Sequence, residues 1–511
     1  LEKFLESQNI PNYQQDVGDI SEALPGTCEW ILNDSIYKDW KQGEGSRFLC
    51  VLGAAGCGKS VLTKHVLTNL QERLRTGRDK DRGAILHYFC NNRKRQHEAT
   101  ASILMTLVYQ LIVAERQLNL PKRGRDEDIL KKSGVMDSPI GPQNVQQWPW
   151  DVWWTIFTTA ISTSRLKLIY CIVDALDEIQ DNSTRAFLSK RFELLSDKSI
   201  STRVRFFLTS RPQSHIEEYL EDTSSIVWIN SVASDDIKTY IREELSKLKD
   251  ELLLAPQFQK DLEAFIFKRA EGQFLLVELA MKEAQKTSEP AKHLETSFPT
   301  GLDELYGRSL HSISSKCHGD ERRLMQKLFN WIELTPRLLT LAELQVALAL
   351  VLNSDVKALA SIRLMPERTK RLLTLCSTFI ETVYADHEMA SSVQSQTTNV
   401  RLIHQSAKDY FVSSHPTLMG PLSYFRIHQQ TGHIEIALAC LTYLLLEDFA
   451  NGPVKTASDS NSIFLEDSSA KLRTLLEQKL AGNDFLEYAT LHWPFHVREA
   501  SKAEEDATLL N

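Results

Sequence analysis

Residues Gly53-Ala54-Ala55-Gly56-Cys57-Gly58-Lys59-Ser60 carry the spacing Gly-x-x-x-x-Gly-Lys-Ser, the tightest constraint anywhere in the chain. The apolar run Arg47–Leu52 before it has strand length. After it, Val61, Leu62, His65, Val66, Leu70 and Leu74 recur at helical spacing. Strand, glycine-rich turn, helix is the context that a phosphate-binding loop requires. Glycines reach positive φ, so backbone N–H groups can close round phosphate oxygens, and the helix adds its positive end. Gly53, Gly56, Cys57, Gly58, Lys59, Ser60 and Val61 are therefore the expected phosphate cradle. Lys59 would place its charge on the β- and γ-phosphates, and Ser60 would offer a hydroxyl to Mg²⁺.

Further apolar strands alternate with helical segments. Ala84–Phe89, Leu168–Val173 and Val204–Thr209 read as strands, and Ile103–Val113 as an amphipathic helix. This alternation predicts a parallel sheet covered on both faces. The strand Leu168–Val173 ends in Asp174-Ala175-Leu176-Asp177-Glu178. A carboxylate at a strand tip faces the phosphate crevice, so Asp174 is a candidate for Mg²⁺, and Asp177 or Glu178 for handling an attacking water. An acidic N-cap for the next helix is the plainer alternative. Thr209-Ser210-Arg211-Pro212 closes the next strand, where Arg211 could sense a γ-phosphate or simply form a surface ion pair.

The 511 residues suffice for about three to four domains. Lys+Arg 59 against Asp+Glu 67 leaves a net charge of −8, which argues against a dedicated nucleic-acid binder. No apolar run reaches the length of a membrane span. The 8 cysteines are scattered without zinc spacing, the pattern of reduced thiols. With no secretory leader pattern visible, a cytoplasmic protein is expected.

The second half reads differently. From about Ser234 the pattern is helical, starting at Asp235-Asp236, with a break at Gly272. Residues 286–300 look like a linker. Helical patterns then run Leu302–Trp331 and Leu341–Leu352, followed by paired strands at Phe379–Tyr384 and Val400–Ile403 and a helix at Gln405–Val412. That order is the order of a winged helix. Further helices follow, with a polar break at Asp459–Ser469. Residues 121–148 read as a surface insertion with a charge run at Lys122–Asp128, and the cluster Trp148, Trp150, Trp153 and Trp154 as packing of that insertion on the core.

Together, Pro25-Gly26-Thr27-Cys28-Glu29-Trp30, GAAGCGKS, VDALDE and TSRP resemble the NACHT class of STAND P-loop NTPases, in detail the fungal NOD-like receptors. Gly301–Tyr306, Trp331–Leu348, Arg401–Phe411, Tyr488-Ala489 and His492–His496 resemble later segments of the same family. The resemblance implies a switch that is closed with ADP and opens and self-associates with ATP and Mg²⁺, in signalling of the self-recognition or regulated cell-death kind. ATP hydrolysis would be slow. It also implies that His404, at the position of the "MHD" histidine, locks the ADP form. Gly26, Thr27 and Cys28 would meet the base. An effector would lie before Leu1, and repeats sensing an unknown ligand after Asn511. The chain departs from the family at Leu338 where proline is usual, and at Gln405 in place of the Asp of "MHD". Gly272-Gln273-Phe274 stands where a Gly-x-Pro would contact adenine.

The expected architecture is α/β: a P-loop NTPase parallel sheet with helices on both faces, then a helical domain, a winged-helix domain and further helices. The expected boundaries are an N-terminal linker and lead-in (1–46), the NACHT nucleotide-binding domain (47–230), a small helical domain (231–300), the winged helix (301–415) and a C-terminal helical domain (416–511). An ATP-driven remodelling enzyme and a winged-helix DNA-binding regulator are the alternatives.

Overall fold

In the computed structural model the chain divides into two compact units, Leu1–Gly301 and Leu302–Asn511. The described residues are 17–42, 47–76, 83–90, 99–118, 150–179, 181–190, 203–213, 226–229, 234–248, 255–317, 319–352, 355–385, 397–413, 415–450 and 483–509, with isolated positions between them. The charge run at 122–128, most of the insertion at 121–148 and the polar break at 459–469 lie outside the described residues.

The first unit begins with helices α1 (Glu29–Asn33) and α2 (Ser35–Gln42). It continues with β1 (Phe48–Leu52), α3 (Lys59–Thr76), β2 (Gly83–Phe89), α4 (Ala99–Gln117), α5 (Trp150–Thr163), β3 (Leu168–Asp174), α6 (Asp181–Ser189), β4 (Val204–Ser210) and β5 (Ile226–Trp228). The five strands lie in the order β2-β3-β4-β1-β5, all paired parallel. Side chains alternate across a strand, and here the alternation divides two cores. Phe48, Cys50 and Leu52 of β1 join Ile169, Cys171, Phe206 and Leu208 on one face, whereas Leu49 and Val51 join Tyr170, Ile172 and Phe207 on the other.

The first of those cores takes up α4, α5 and the tryptophan cluster: Trp148, Trp153 and Trp154 are buried. The second takes up α3 and the N-terminal helices. Trp40 of α2 packs its ring 5.5 Å from Tyr170 and 5.9 Å from Phe207. Thus part of the segment expected as a linker and lead-in is core material of the α/β layer.

The helices α7 (Ser234–Ser246), α8 (Pro256–Ala270), α9 (Phe274–Ala284) and α10 (Pro290–Ser297) pack on one another and complete this unit. Helix α10 corrects the linker expected at 286–300. Pro290 opens it, Ala291 and Leu294 bury one side, and the Ala291 N–H donates to Asp250 at 2.8 Å. The Lys, Thr, Ser and Glu that gave the segment its linker composition occupy the solvent side.

In the second unit, α11 (Leu302–Lys316), α12 (Asp320–Glu333), α13 (Leu341–Leu352) and α14 (Pro366–Leu375) precede a hairpin of β7 (Ile380–Ala385) and β8 (Thr397–Leu402). A two-residue strand, β6 (Leu339–Thr340), pairs with β8 to make a three-stranded antiparallel sheet. Thr340 and Glu343 form a reciprocal cap at the start of α13. Glu343 N–H donates to Thr340 Oγ1 at 3.2 Å and Thr340 N–H to Glu343 Oε2 at 2.8 Å. Arg337 grips the same carboxylate at 2.5 and 2.9 Å. Helix α15 (Gln405–Val412) follows β8, and Tyr306, Phe329, Phe379 and Phe411 form the aromatic centre.

Helices α16 (Gln429–Leu444) and α17 (Leu486–Leu509) pack on each other. Between them His433 Nδ1 lies 2.8 Å from His496 Nδ1, and Tyr488 OH lies 2.8 Å from His496 Nε2. All three side chains are buried.

Candidate functional site

The glycine loop leaves the C-terminal end of β1 and enters α3 at Lys59. Its first residue is pinned to the neighbouring strand, with Gly53 N–H donating to Ser210 O at 3.1 Å. Gly56 and Gly58 have φ of +70° and +88°, a region costly for side chains carrying Cβ. Gly56 has a second reason to be glycine. A Cβ there would lie 2.7 Å from Leu275 Cβ on α9, whose N–H donates to Gly56 O at 3.2 Å. The Phe274 ring lies 3.5 Å from the corresponding point at Gly58. Lys59 Nζ donates to Gly53 O and Ala54 O, both at 2.9 Å, so the ammonium is held over the loop's own carbonyls. Cys57 is buried, which raises its thiol pKa, and Val61 packs on the core below.

Asp174, at the tip of β3, is 2 % exposed and accepts three hydroxyl hydrogen bonds. Ser60 Oγ donates to Oδ2 at 2.6 Å. Thr63 Oγ1 and Thr209 Oγ1 donate to Oδ1 at 2.7 and 2.6 Å. The parallel register sets the tips of β1, β4 and β3 side by side, which is why residues 114 and 35 positions away converge on one carboxylate. Ala175 follows with φ +54°, and its N–H donates to Thr209 Oγ1 at 2.9 Å. This left-handed residue turns the chain sharply from the strand into the short helix Leu176–Glu178.

The two candidates for water handling differ in their surroundings. Asp177 is tied to the end of β4. Its Oδ2 takes Arg211 Nε at 2.5 Å and its Oδ1 the Arg211 N–H at 2.8 Å, with the Asp177 side chain 3 % exposed. Burial alone would raise the Asp177 pKa. The Arg211 guanidinium and N–H, with the charge of Lys59, outweigh it and hold the carboxyl below the usual carboxylate range. Asp177 therefore stays ionised as the partner of Arg211. Glu178 is half-buried, with its N–H bonded to Ala175 O.

The Gly26–Cys28 turn is part of the same unit. Gly26 and Cys28 have φ of +80° and +64°, and both Thr27 N–H and Thr27 Oγ1 donate to Leu24 O. The Cys28 N–H donates to Asp236 Oδ2 at 2.8 Å, and Trp30 Nε1 donates to the same oxygen at 3.1 Å. Asp236 is raised in pKa chiefly by burial, against the pull of those two donors.

His404 belongs to the second unit, at the N-cap of α15. Its Nδ1 accepts from Ser406 N–H at 3.0 Å, and Ser406 Oγ lies at 2.8 Å. An Nδ1 that accepts a backbone N–H leaves the ring proton of the neutral imidazole on Nε2.

Sequence reasoning missed Thr63, Leu275 and Asp236. Thr63 follows Ser60 by one helical step, so helix period alone could have flagged it. Leu275 and Asp236 are more than two hundred residues from the groups they touch.

Residues 26–211 match the family described as nephrocystin 3, N-terminal. Over 410 residues the chain is 24% identical to the vegetative incompatibility protein HET-E-1 of Podospora anserina, covering 77% of this chain and 28% of that protein. These matches support a likeness to the NACHT-type STAND P-loop NTPases. The chain spans about a quarter of the length of that fungal relative. Among solved structures, a STAND protein with a tetratricopeptide repeat sensor from Pyrococcus horikoshii aligns at TM-score 0.39 and 12% identity, over 94% of this chain and 54% of that one. The ADP form of the Aeropyrum pernix ORC2 protein aligns at TM-score 0.33 and 12% identity, over 78% and 97%. The glycine loop has the spacing of a nucleotide-binding class. Among its described residues no helix is long and apolar enough to cross a membrane.

The residues suit such a ligand. Gly56 and Gly58 give the loop a concave backbone, and Ser60 and Asp174 supply the oxygens that Mg²⁺ prefers. No group of three or more His, Cys, Asp or Glu among the described residues is arranged to hold a metal ion.

Proposed function

We propose that this protein is a nucleotide-dependent switch, resting with ADP and exchanging to ATP to open and self-associate. The observation that carries the reading is the bond from Ser60 to Asp174. It joins the glycine loop to the tip of β3 and places the hydroxyl and carboxylate oxygens expected at a Mg-nucleotide site together beside Lys59. In this reading Lys59 meets the phosphates, Ser60 and Asp174 serve Mg²⁺, and Glu178 orients water in a slow hydrolysis that resets the switch. Arg211 senses the γ-phosphate, and Asp177 aims it, because the ion pair fixes the guanidinium. Bound Mg²⁺ would supply charge neutralisation at the phosphates. The segment expected as a winged helix, residues 301–415, would relay nucleotide state, with His404 keeping the ADP form quiet. Vegetative incompatibility, the term in the fungal relative's name, is an outcome to which such a switch could be coupled.

Lys59→Ala tests the core of this reading. The variant should lose ADP and ATP affinity by about 100-fold or more in titration calorimetry, the scale of a lost charge-assisted phosphate contact. Unchanged affinity would remove the assignment. His404→Ala should speed release of bound ADP and raise the self-associated fraction in light scattering. A variant as slow and as monomeric as the parent would refute the lock.

A further inference from the structure

The carboxylate of Asp236 does work that neither the phosphate cradle nor the strand tips explain. It sits in the first turn of α7 and gathers two donors from the N-terminal turn, Cys28 N–H at 2.8 Å and the Trp30 indole N–H at 3.1 Å. That turn is not a relaxed one. Cys28 holds a left-handed φ of +64° without a glycine's freedom. Helix α1 starts there without a side-chain cap of its own, and Asp236 accepts the N–H of the residue at its start, Cys28.

The turn lies beside the phosphate-loop helix. Cys28 shares a core with Cys57, Leu62 and Val66, and Glu29 lies 3.9 Å from His65 Nε2. Tyr240 stands four residues after Asp236, on the same face of α7. Its ring packs edge-on to Phe274 at 5.4 Å, and Phe274 lies against Gly58. One helix face therefore holds two structures that border the glycine loop. The charged groups suited to the terminal phosphate and its cation, Asp174, Asp177 and Arg211, come from the tips of β3 and β4. In the nucleotide-binding reading above, the tail enters the loop and the nucleoside end lies on the Cys28 and Phe274 side, as the resemblance implies.

We propose that Asp236 is a positioning residue for the nucleoside end of the nucleotide, acting by fixing the Gly26–Trp30 turn, while Tyr240 fixes Phe274 from the same helix face. The proposal rests on the nucleotide-binding reading above and adds to it a residue outside the phosphate machinery. Inorganic pyrophosphate uses the loop and nothing of the nucleoside side, so it separates the two.

The test is calorimetric titration of the full chain with ADP and with pyrophosphate, alongside the melting temperature. Asp236→Ala should weaken ADP about tenfold, the loss of roughly one such hydrogen-bonded contact, and leave pyrophosphate within about twofold. Asp236→Asn keeps an acceptor oxygen and should restore most of the ADP affinity. Should Asp236→Ala fail to fold, Trp30→Phe removes one donor while keeping the packing and should show a smaller loss, again for ADP alone. Equal ADP affinity in parent and variants, or ADP and pyrophosphate falling together, overturns the proposal. A parent chain that takes up neither ligand overturns the nucleotide reading as well.

Discussion

Two buried polar clusters, one in each unit, solve the same physical problem in opposite ways. In the first unit a carboxylate, Asp174, is removed from water and satisfied by three hydroxyls. In the second, His433 and His496 are removed from water and satisfied by each other and by Tyr488. The hydrogen-bond chain is consistent when Tyr488 O–H donates to His496 Nε2 and His496 Nδ1–H donates to His433 Nδ1, with both rings neutral. Burial lowers the His433 pKa to about 4, against the pull of Glu499. Burial, with the neighbouring His433 and His492, lowers that of His496 to about 3. One cluster thus presents anionic oxygens that a cation can take over, whereas the other is closed on itself and serves packing. Burial of titratable groups alone does not mark a site; what marks it is whether the partners can be exchanged for a ligand.

The largest effect should come from cutting the exchangeable cluster. Asp174→Ala leaves Ser60 and Thr209 without this acceptor and returns the Thr63 hydroxyl to the Lys59 carbonyl, 2.9 Å away. It should destabilise the first unit by about 3 kcal/mol in urea unfolding and abolish the Mg²⁺ dependence of nucleotide affinity. Retained Mg²⁺ dependence would erase the contrast between the clusters.

Acid should reverse the order of sensitivity. Below the ordinary histidine value of 6.5, the unfolded chain takes up protons that the folded His433 and His496 refuse. Their contribution is complete above 6.5 and shrinks as the pH falls towards about 4. Asp177 has the opposite sign of charge and a lowered pKa. Its contribution is present above the ordinary 3.8 and is lost only as the pH falls further, through its depressed value. Hydrogen exchange should therefore show α16 and α17 loosening between pH 6 and 4.5 while β3 and β4 stay protected, a window set by those shifts. Simultaneous loosening of both units would break the comparison.

The smallest effect sharpens it from outside. Leu445, at the end of α16, is 82% exposed. Leu445→Ser should change stability by less than about 0.5 kcal/mol in the same urea assay, because its side chain leaves little apolar surface to lose.

Much of the candidate site is legible in the sequence because its signals are local. The glycine spacing, the strand before it and Asp174 at a strand tip all lie within single stretches. The choice between Asp177 and Glu178 was not legible. Both sit at the same tip, and the ion pair with Arg211 that separates them depends on how β3 and β4 align. The Asp236 contacts were invisible for a related reason: Asp235-Asp236 reads as an ordinary helix start, and its partner lies 208 residues away. Helix α10 was hidden by composition, since only Ala291 and Leu294 report a buried side. The strand β6, at two residues, is too short to show any alternation.

The alternation along β1 has a consequence for how chains of this kind can vary in length. Phe48, Cys50 and Leu52 serve one core while Leu49 and Val51 serve the other. One residue inserted within this strand would exchange the contents of the two cores beyond that point and turn the glycine loop to the wrong side. A residue added in a connector, by contrast, leaves every strand in phase with its neighbours.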